Sequence, residues 1–229
     1  MSGRSMFIRQ LGAILLKDLK AEWRTREILP SMFVFAVLVI VVFNFALGAN
    51  PELIRQVAPG VLWVALLFAT VLGLQRSAQM EHEDDCLSGV LLAMGEQSAF
   101  FVAKTAGNML YLLTITLCTL PLLTIWFRVN IFGHILPLSA VLLLGILGFS
   151  AIGTLFSLIT LNTRTREIML PLLFLPVSVP LTIASVYATA NLIAGKDLGD
   201  ITDFLTLMGV FDIVFLVVAL LVFDAVVEE

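Results

Sequence analysis

Two histidines, two cysteines and a thin scatter of carboxylates are what this chain offers to metal, cofactor or acid–base chemistry. His82 and Cys86 lie four residues apart, a spacing that puts two ligands on one helix face, with Glu81, Glu83, Asp84 and Asp85 around them. No second ligand pair exists elsewhere, so the segment reads as an acidic solvated turn and no metal site is expected. Cys118 lies in a different kind of segment, and no CxxC pair or evenly spaced framework points to zinc or disulfides. His134, beside Trp126, Phe127 and Phe132, is the one residue placed like an axial haem ligand. A lone histidine among aromatics is usually an interface residue, and no haem ligand is expected of this chain. Nucleotide chemistry is excluded more firmly. The only Gly-Lys pair, Gly195-Lys196, is followed by Asp197 instead of Ser or Thr, and Ala190 stands where a phosphate loop needs its first glycine. Asp212 is harder to dismiss. It lies inside an apolar run, where a carboxylate costs about 3 kcal/mol unless paired or wetted. It marks a polar path, forms a structural pair with Lys196 or a partner subunit, or carries a proton; the structural pair is the expectation adopted here.

The elements that must hold these residues are set by composition. Of 229 residues, 60% are hydrophobic and 13% charged, with mean hydropathy +1.06. A soluble domain carries about 25% charged residues. Lipid is therefore the solvent for most of this chain. Crossing a hydrocarbon core of about 30 Å takes roughly 20 apolar residues as a helix. Uncharged apolar runs near 32–47, 57–74, 105–127, 135–161, 168–194 and 204–227 predict six spans and an all-α integral membrane protein. The basic N-terminus lacks a short apolar core with a small-residue cleavage site, so no removable signal peptide is expected. No internal repeat is visible. Gly153 and Ser157, four apart, permit close helix contact without specifying a function.

Lys and Arg near span ends are retained on the cytoplasmic side. Arg4, Arg9, Lys17, Lys20, Arg24, Arg26, Arg76, Lys104, Arg164 and Arg166 fall on one side of a six-span chain; Arg55, Arg128 and Lys196 fall on the other. Ten against three predicts cytoplasmic N- and C-termini. Residues 1–30 form a predicted amphipathic interfacial helix, ended by Pro30 and Ser31, ahead of a permease domain over 31–229. On that helix Arg9, Lys17, Lys20 and Arg24 fall within about 80° of one another. Phe7, Ile8, Leu11, Ile14, Leu15, Leu19 and Trp23 cover the opposite side, on which Asp18 and Glu22 intrude. A basic stripe against an apolar one suits the headgroup region of an anionic leaflet, making membrane lipid a partner. No nucleic-acid partner is expected.

The long connector at 75–104 is the informative one. Its acidic run gives way to Cys86, Leu87, Ser88, Gly89, Val90, Leu91, Leu92, Ala93 and Met94, a short amphipathic helix between two spans. A plain connector needs no such apolar residues; a segment pushed by a peripheral motor does. Asp84, Asp85, Cys86, Leu87, Ser88, Gly89, Leu91 and Leu92 are the candidate coupling residues. Pro171, Pro176 and Pro180 should break the fifth span, because each removes a helical donor. Broken spans line cavities or move.

Three stretches then resemble the family of the B subunit of the haem exporter used in c-type cytochrome maturation. They are Ala58-Pro59-Gly60-Val61-Leu62-Trp63-Val64-Ala65; the set Leu87, Gly89, Leu91, Leu92, Ala93, Ser98, Ala99, Phe101 and Lys104; and Leu175-Pro176-Val177-Ser178-Val179-Pro180-Leu181. The coupling segment departs from the family pattern: Asp85 stands in place of Gly, Ser88 of Glu and Met94 of Pro. The resemblance implies a six-span permease of the ABC-2 exporter type in a bacterial inner membrane, driven by a separate ATPase dimer. It implies as further partners a haem-handling C subunit and a periplasm-facing haem chaperone, with haem as cargo and not as a cofactor of this chain. Another amphipathic cargo, such as a lipid or drug, or a non-transporting scaffold of the maturation complex, are the alternatives.

Overall fold

In hydrocarbon a backbone has no hydrogen-bond partner but itself, so long apolar runs fold as helices. The computed structural model describes residues 3–48, 50–83, 97–129, 133, 135–160 and 165–227. Its helices are α1 (Gly3–Thr25), α2 (Ile28–Leu47), α3 (Pro51–Glu83), α4 (Gln97–Phe127), α5 (Ile135–Thr160), α6 (Arg166–Ile193) and α7 (Thr202–Val227), with a 3-10 turn at Leu198–Ile201 before α7. Helices α2 to α7 are long and apolar enough to cross a membrane. The protein is an all-α integral membrane protein, with no strand among the described residues.

Antiparallel neighbours are read from the packing. Met32 of α2 lies against Gly73 of α3, and Asn108 of α4 donates to Thr154 Oγ1 of α5 at 2.9 Å, whereas Leu74 of α3 lies against Gly153 of α5 in a parallel pair. The parallel pair α5 and α7 meets at Gly148 and Asp212. The late turns of α5 and α7, at Leu155 and Ala219, cluster with Ile14 of α1 and Phe100 of α4. The chain thus begins and ends at one end of the bundle, as an even number of spans requires. The core is centred on Trp63, Phe149 and Phe174, whose rings pack edge to face at 5.9 and 6.0 Å. Trp63 lies directly over Gly145, where a side chain would collide with the indole. Outward, α7 exposes Leu207, Val210, Ile213, Val217 and Leu221, the apolar surface that a lipid-solvated helix presents.

Three expectations about elements are corrected. The 75–104 connector is shorter, because α3 runs on to Glu83 and α4 starts at Gln97; at 1.5 Å per residue, the 33-residue α3 is about 50 Å long and overshoots a 30 Å core. The break after α1 falls at Arg26, held at φ 53°, and not at Pro30 and Ser31. Pro30 occupies the first turn of α2, where a missing N–H costs nothing, and Ser31 donates to Ile28 O at 2.8 Å. The fifth span is not broken: α6 is one continuous helix through Pro171, Pro176 and Pro180. Three lost donors do not end a helix that has no alternative conformation in lipid.

Candidate functional site

Among the described residues, the end of the bundle that carries α1 gathers most of the polar contacts between helices. Helix α1 docks its apolar face on α4, with Ile14 against Phe100, Phe101 and Ala103. Asp18 and Glu22 lie in the middle of that docked face. Asp18 pairs with Lys104 of α4 at 2.7 Å, both side chains largely buried, and Tyr111 donates its hydroxyl to the Asp18 carbonyl at 3.2 Å. Glu22, 4% exposed, accepts from the backbone N–H of Ile28 at 3.1 Å and of Leu29 at 2.8 Å. Those are first-turn donors that α2 cannot satisfy internally. One helix is thereby fastened to the starts of two spans. The two acids that seemed to spoil an apolar stripe are its fastenings, so that face meets protein and not lipid. Asp18 and Glu22 four apart at the centre of an apolar face was the signal, since lipid would not tolerate them there. Arg9, Lys17, Lys20 and Arg24 are all exposed on the other side.

Between α3 and α6 at the same end lies a polar cleft of about 210 Å³ lined by Leu72, Gln75, Arg76, Gln79 and Glu167. Its geometry follows from a proline. Pro171 has no N–H to offer the Glu167 carbonyl four residues earlier, and Gln75 Nε2 supplies the missing donor at 2.8 Å. Gln79 Nε2 donates to the Glu167 carboxylate at 3.1 Å, and Arg76 to Gln79 at 3.3 Å. The projecting part of α3 is held to the start of α6 in this way. The first turns of α4 are held to α1, and in the sequence residues 84–96 lie between α3 and α4.

Deeper in the bundle, Trp63 Nε1 donates to Thr189 Oγ1 at 2.9 Å, and Thr189 to the Ser185 carbonyl at 2.7 Å. On α7, Asp212 is 2% exposed, and neither carboxylate oxygen has a hydrogen-bond partner. The expected pair with Lys196 is not formed; Lys196 is exposed in the connector after α6. Asp212 fits only because α5 has Gly148 opposite, where a Cβ would collide with Asp212 Oδ1 and Leu181. Backbone donors here are consumed within the helices, and α5 carries no ionisable side chain. The arrangement ties α1, α2 and α4 together at one end of the bundle and leaves Asp212, among the described residues, as a buried acid with no hydrogen-bond partner.

Other expected site residues lie elsewhere. Asp84, Asp85, Cys86, Leu87, Ser88, Gly89, Leu91 and Leu92 are outside the described residues, as is His134. Among the described residues no three His, Cys, Asp or Glu side chains cluster as metal ligands.

The family model described as CcmB protein matches residues 9–229. Curated relatives share the name heme exporter protein B. The protein from Haemophilus influenzae is 29% identical over 185 residues, covering 78% of this chain and 81% of the relative. That from Rhodobacter capsulatus is 27% identical, covering 73% and 77%, and that from Paracoccus denitrificans is 27% identical, covering 81% and 84%.

Proposed function

Because the chain belongs to the CcmB protein family, we propose that it is the six-span permease subunit of an ABC-type haem exporter serving c-type cytochrome maturation. A partner ATPase dimer binds and hydrolyses ATP, since the chain has no phosphate loop of its own. The permease lies in the bacterial inner membrane with both termini cytoplasmic, as the ten-to-three distribution of Lys and Arg favours. A haem-handling C subunit and a periplasm-facing chaperone complete the assembly, and the chain holds no cofactor itself.

The observation that carries this proposal is the family match over nearly the whole chain. The geometry supports a mechanical role. Nucleotide-driven motion of the ATPase presses on residues 84–94, centred on Leu87, Gly89, Leu91 and Leu92. The push reaches α3 and α4 together, because both project past the hydrocarbon core. Helix α4 passes it to α1 through Lys104 and Asp18, and α1 to α2 through Glu22. Helix α3 passes it to α6 through Gln75 and Glu167. Packing transmits such motion, so bulk at Leu87 matters more than charge nearby. The experiment is removal of the gene from its host, with covalent haem in c-type cytochromes measured on gels. Loss of those cytochromes, with other membrane transport intact, is the expected result. Normal cytochromes would contradict a haem role and return the lipid or drug permease; normal ATPase turnover in a complex lacking the chain would favour a scaffold.

A further inference from the structure

A helix that puts its acids inward and its cations outward acquires a charge that its sequence alone does not show. Over α1, the net charge is moderated by Asp18 and Glu22. In the folded protein both acids are turned into the bundle, one on Lys104 and the other on the N–H groups of α2. What faces outward is Arg9, Lys17, Lys20 and Arg24, with no anion among them. Two apolar side chains share this outer face: Trp23 is 80% exposed and Leu16 58%. At 100° per residue they lie about 20–40° to one side of Arg9, whereas the other cations spread over about 80° to its other side. The outer face is thus graded across the helix axis, apolar along one flank and basic along the rest.

The fastenings place this face at the membrane boundary. At the middle of α1, Ile14 packs on Phe100 at the beginning of the α4 span; near its C-terminal end, Glu22 holds the beginning of the α2 span, and only Arg26 and Glu27 separate the two helices. A helix tied at two points to the starts of two spans runs along the boundary between hydrocarbon and water. There, a flank bearing Trp and Leu meets the acyl edge and the basic flank meets the headgroups.

We propose that the outer face of α1 is a binding surface for anionic phospholipid, with Arg9, Lys17, Lys20 and Arg24 taking the headgroup phosphates and Trp23 and Leu16 seating in the acyl edge. Lipid is favoured over an acidic protein surface by that grading and by the position of the helix. Bound lipid holds α1 against the bundle from outside, as Asp18 and Glu22 hold it from inside. This inference concerns the chain and its bilayer alone, and stands or falls separately from the cargo.

The test is amide hydrogen exchange of the full-length chain in nanodiscs of phosphatidylcholine alone, or with about a third phosphatidylglycerol. Each basic residue near an anionic surface contributes roughly fivefold to binding. Exchange over α1 should therefore slow at least tenfold in the anionic discs, with α5 unchanged. The slowing should fade at high salt, where screening shortens the reach of charge to about 3 Å at 1 M. R9Q/K17Q/K20Q/R24Q should abolish the lipid difference, whereas R9K/R24K, which keeps the charge, should retain it. Equal α1 exchange in both discs overturns the proposal. So does protection that appears only on adding the partner ATPase, which would make the face a protein-docking surface.

Discussion

Glu22 and Asp212 are buried almost equally, at 4% and 2% exposure, yet the bundle treats their carboxylates in opposite ways. Glu22 lies at the rim, where α2 begins and its first backbone N–H groups are unclaimed; it takes two of them. Asp212 lies mid-helix, where every nearby backbone donor already serves a helical hydrogen bond, and it takes none. Asp18 follows the rim pattern, with Lys104 in place of the amides. The difference teaches that burial alone does not assign a role to an acid in a membrane bundle. Donor supply does, and in a helical bundle spare donors are concentrated at helix starts. A rim acid fastens helices together, while an interior acid is accommodated by a missing side chain opposite, here that of Gly148.

The largest expected effect is therefore at the rim. Glu22→Ala leaves the buried Ile28 and half-buried Leu29 N–H groups unpaired, and should cost about 3 kcal/mol, since a hydrogen bond to a charged group contributes about 1.5–3. Denaturant unfolding of the purified chain in detergent measures it. A loss below about 1 kcal/mol would mean that water satisfies those donors. Next, Gly148→Ala forces a methyl against Asp212 and Leu181 and should cost about 2 kcal/mol by overpacking. Combining it with Asp212→Ala should recover much of that loss; additive losses would place the clash elsewhere. The smallest effect sharpens the contrast most. Asp212→Asn removes no hydrogen bond and should cost less than about 0.5 kcal/mol of stability, well under the cost of a buried pair losing a partner. A large loss in the same unfolding assay would reveal a partner for this carboxylate and erase the difference between rim and interior.

Much of this architecture was legible in the sequence, for physical reasons that also mark where legibility ended. Six spans follow from apolar run length, because nothing else explains such runs. The extensions of α3 over 75–83 and of α4 over 97–104 were hidden, since the helix there leaves hydrocarbon and its residues become polar without ceasing to be helix formers. Periodicity gave α1 two faces but not what covers each; Asp18 and Glu22 looked like flaws until Lys104 and the α2 amides appeared beneath them. Pro30 reads as a breaker only if its position within α2 is unknown, because a first-turn proline forfeits no hydrogen bond. Pro171 illustrates the reverse: the proline was visible, but its replacement donor, Gln75, lies 92 residues from the carbonyl it serves and no local pattern links them. Asp212 stood out from its run at once. Its lack of a partner is a fact of three-dimensional packing, set by the uncharged α5 and by the distance to Lys196.

The central claim is that a partner ATPase moves this permease through residues 84–94. It is tested most directly by cross-linking at Cys86, the native thiol of that segment. With Cys118 changed to Ser and a cysteine introduced in the docking cleft of the ATPase, Cys86 should form a disulfide with the ATPase, with a yield that changes between nucleotide-free and ATP-bound states. Leu87→Asp in the same background should abolish the cross-link and the maturation of c-type cytochromes while the permease stays in the membrane. A Cys86 that cross-links to nothing in any nucleotide state, together with normal cytochromes in Leu87→Asp cells, would contradict the claim.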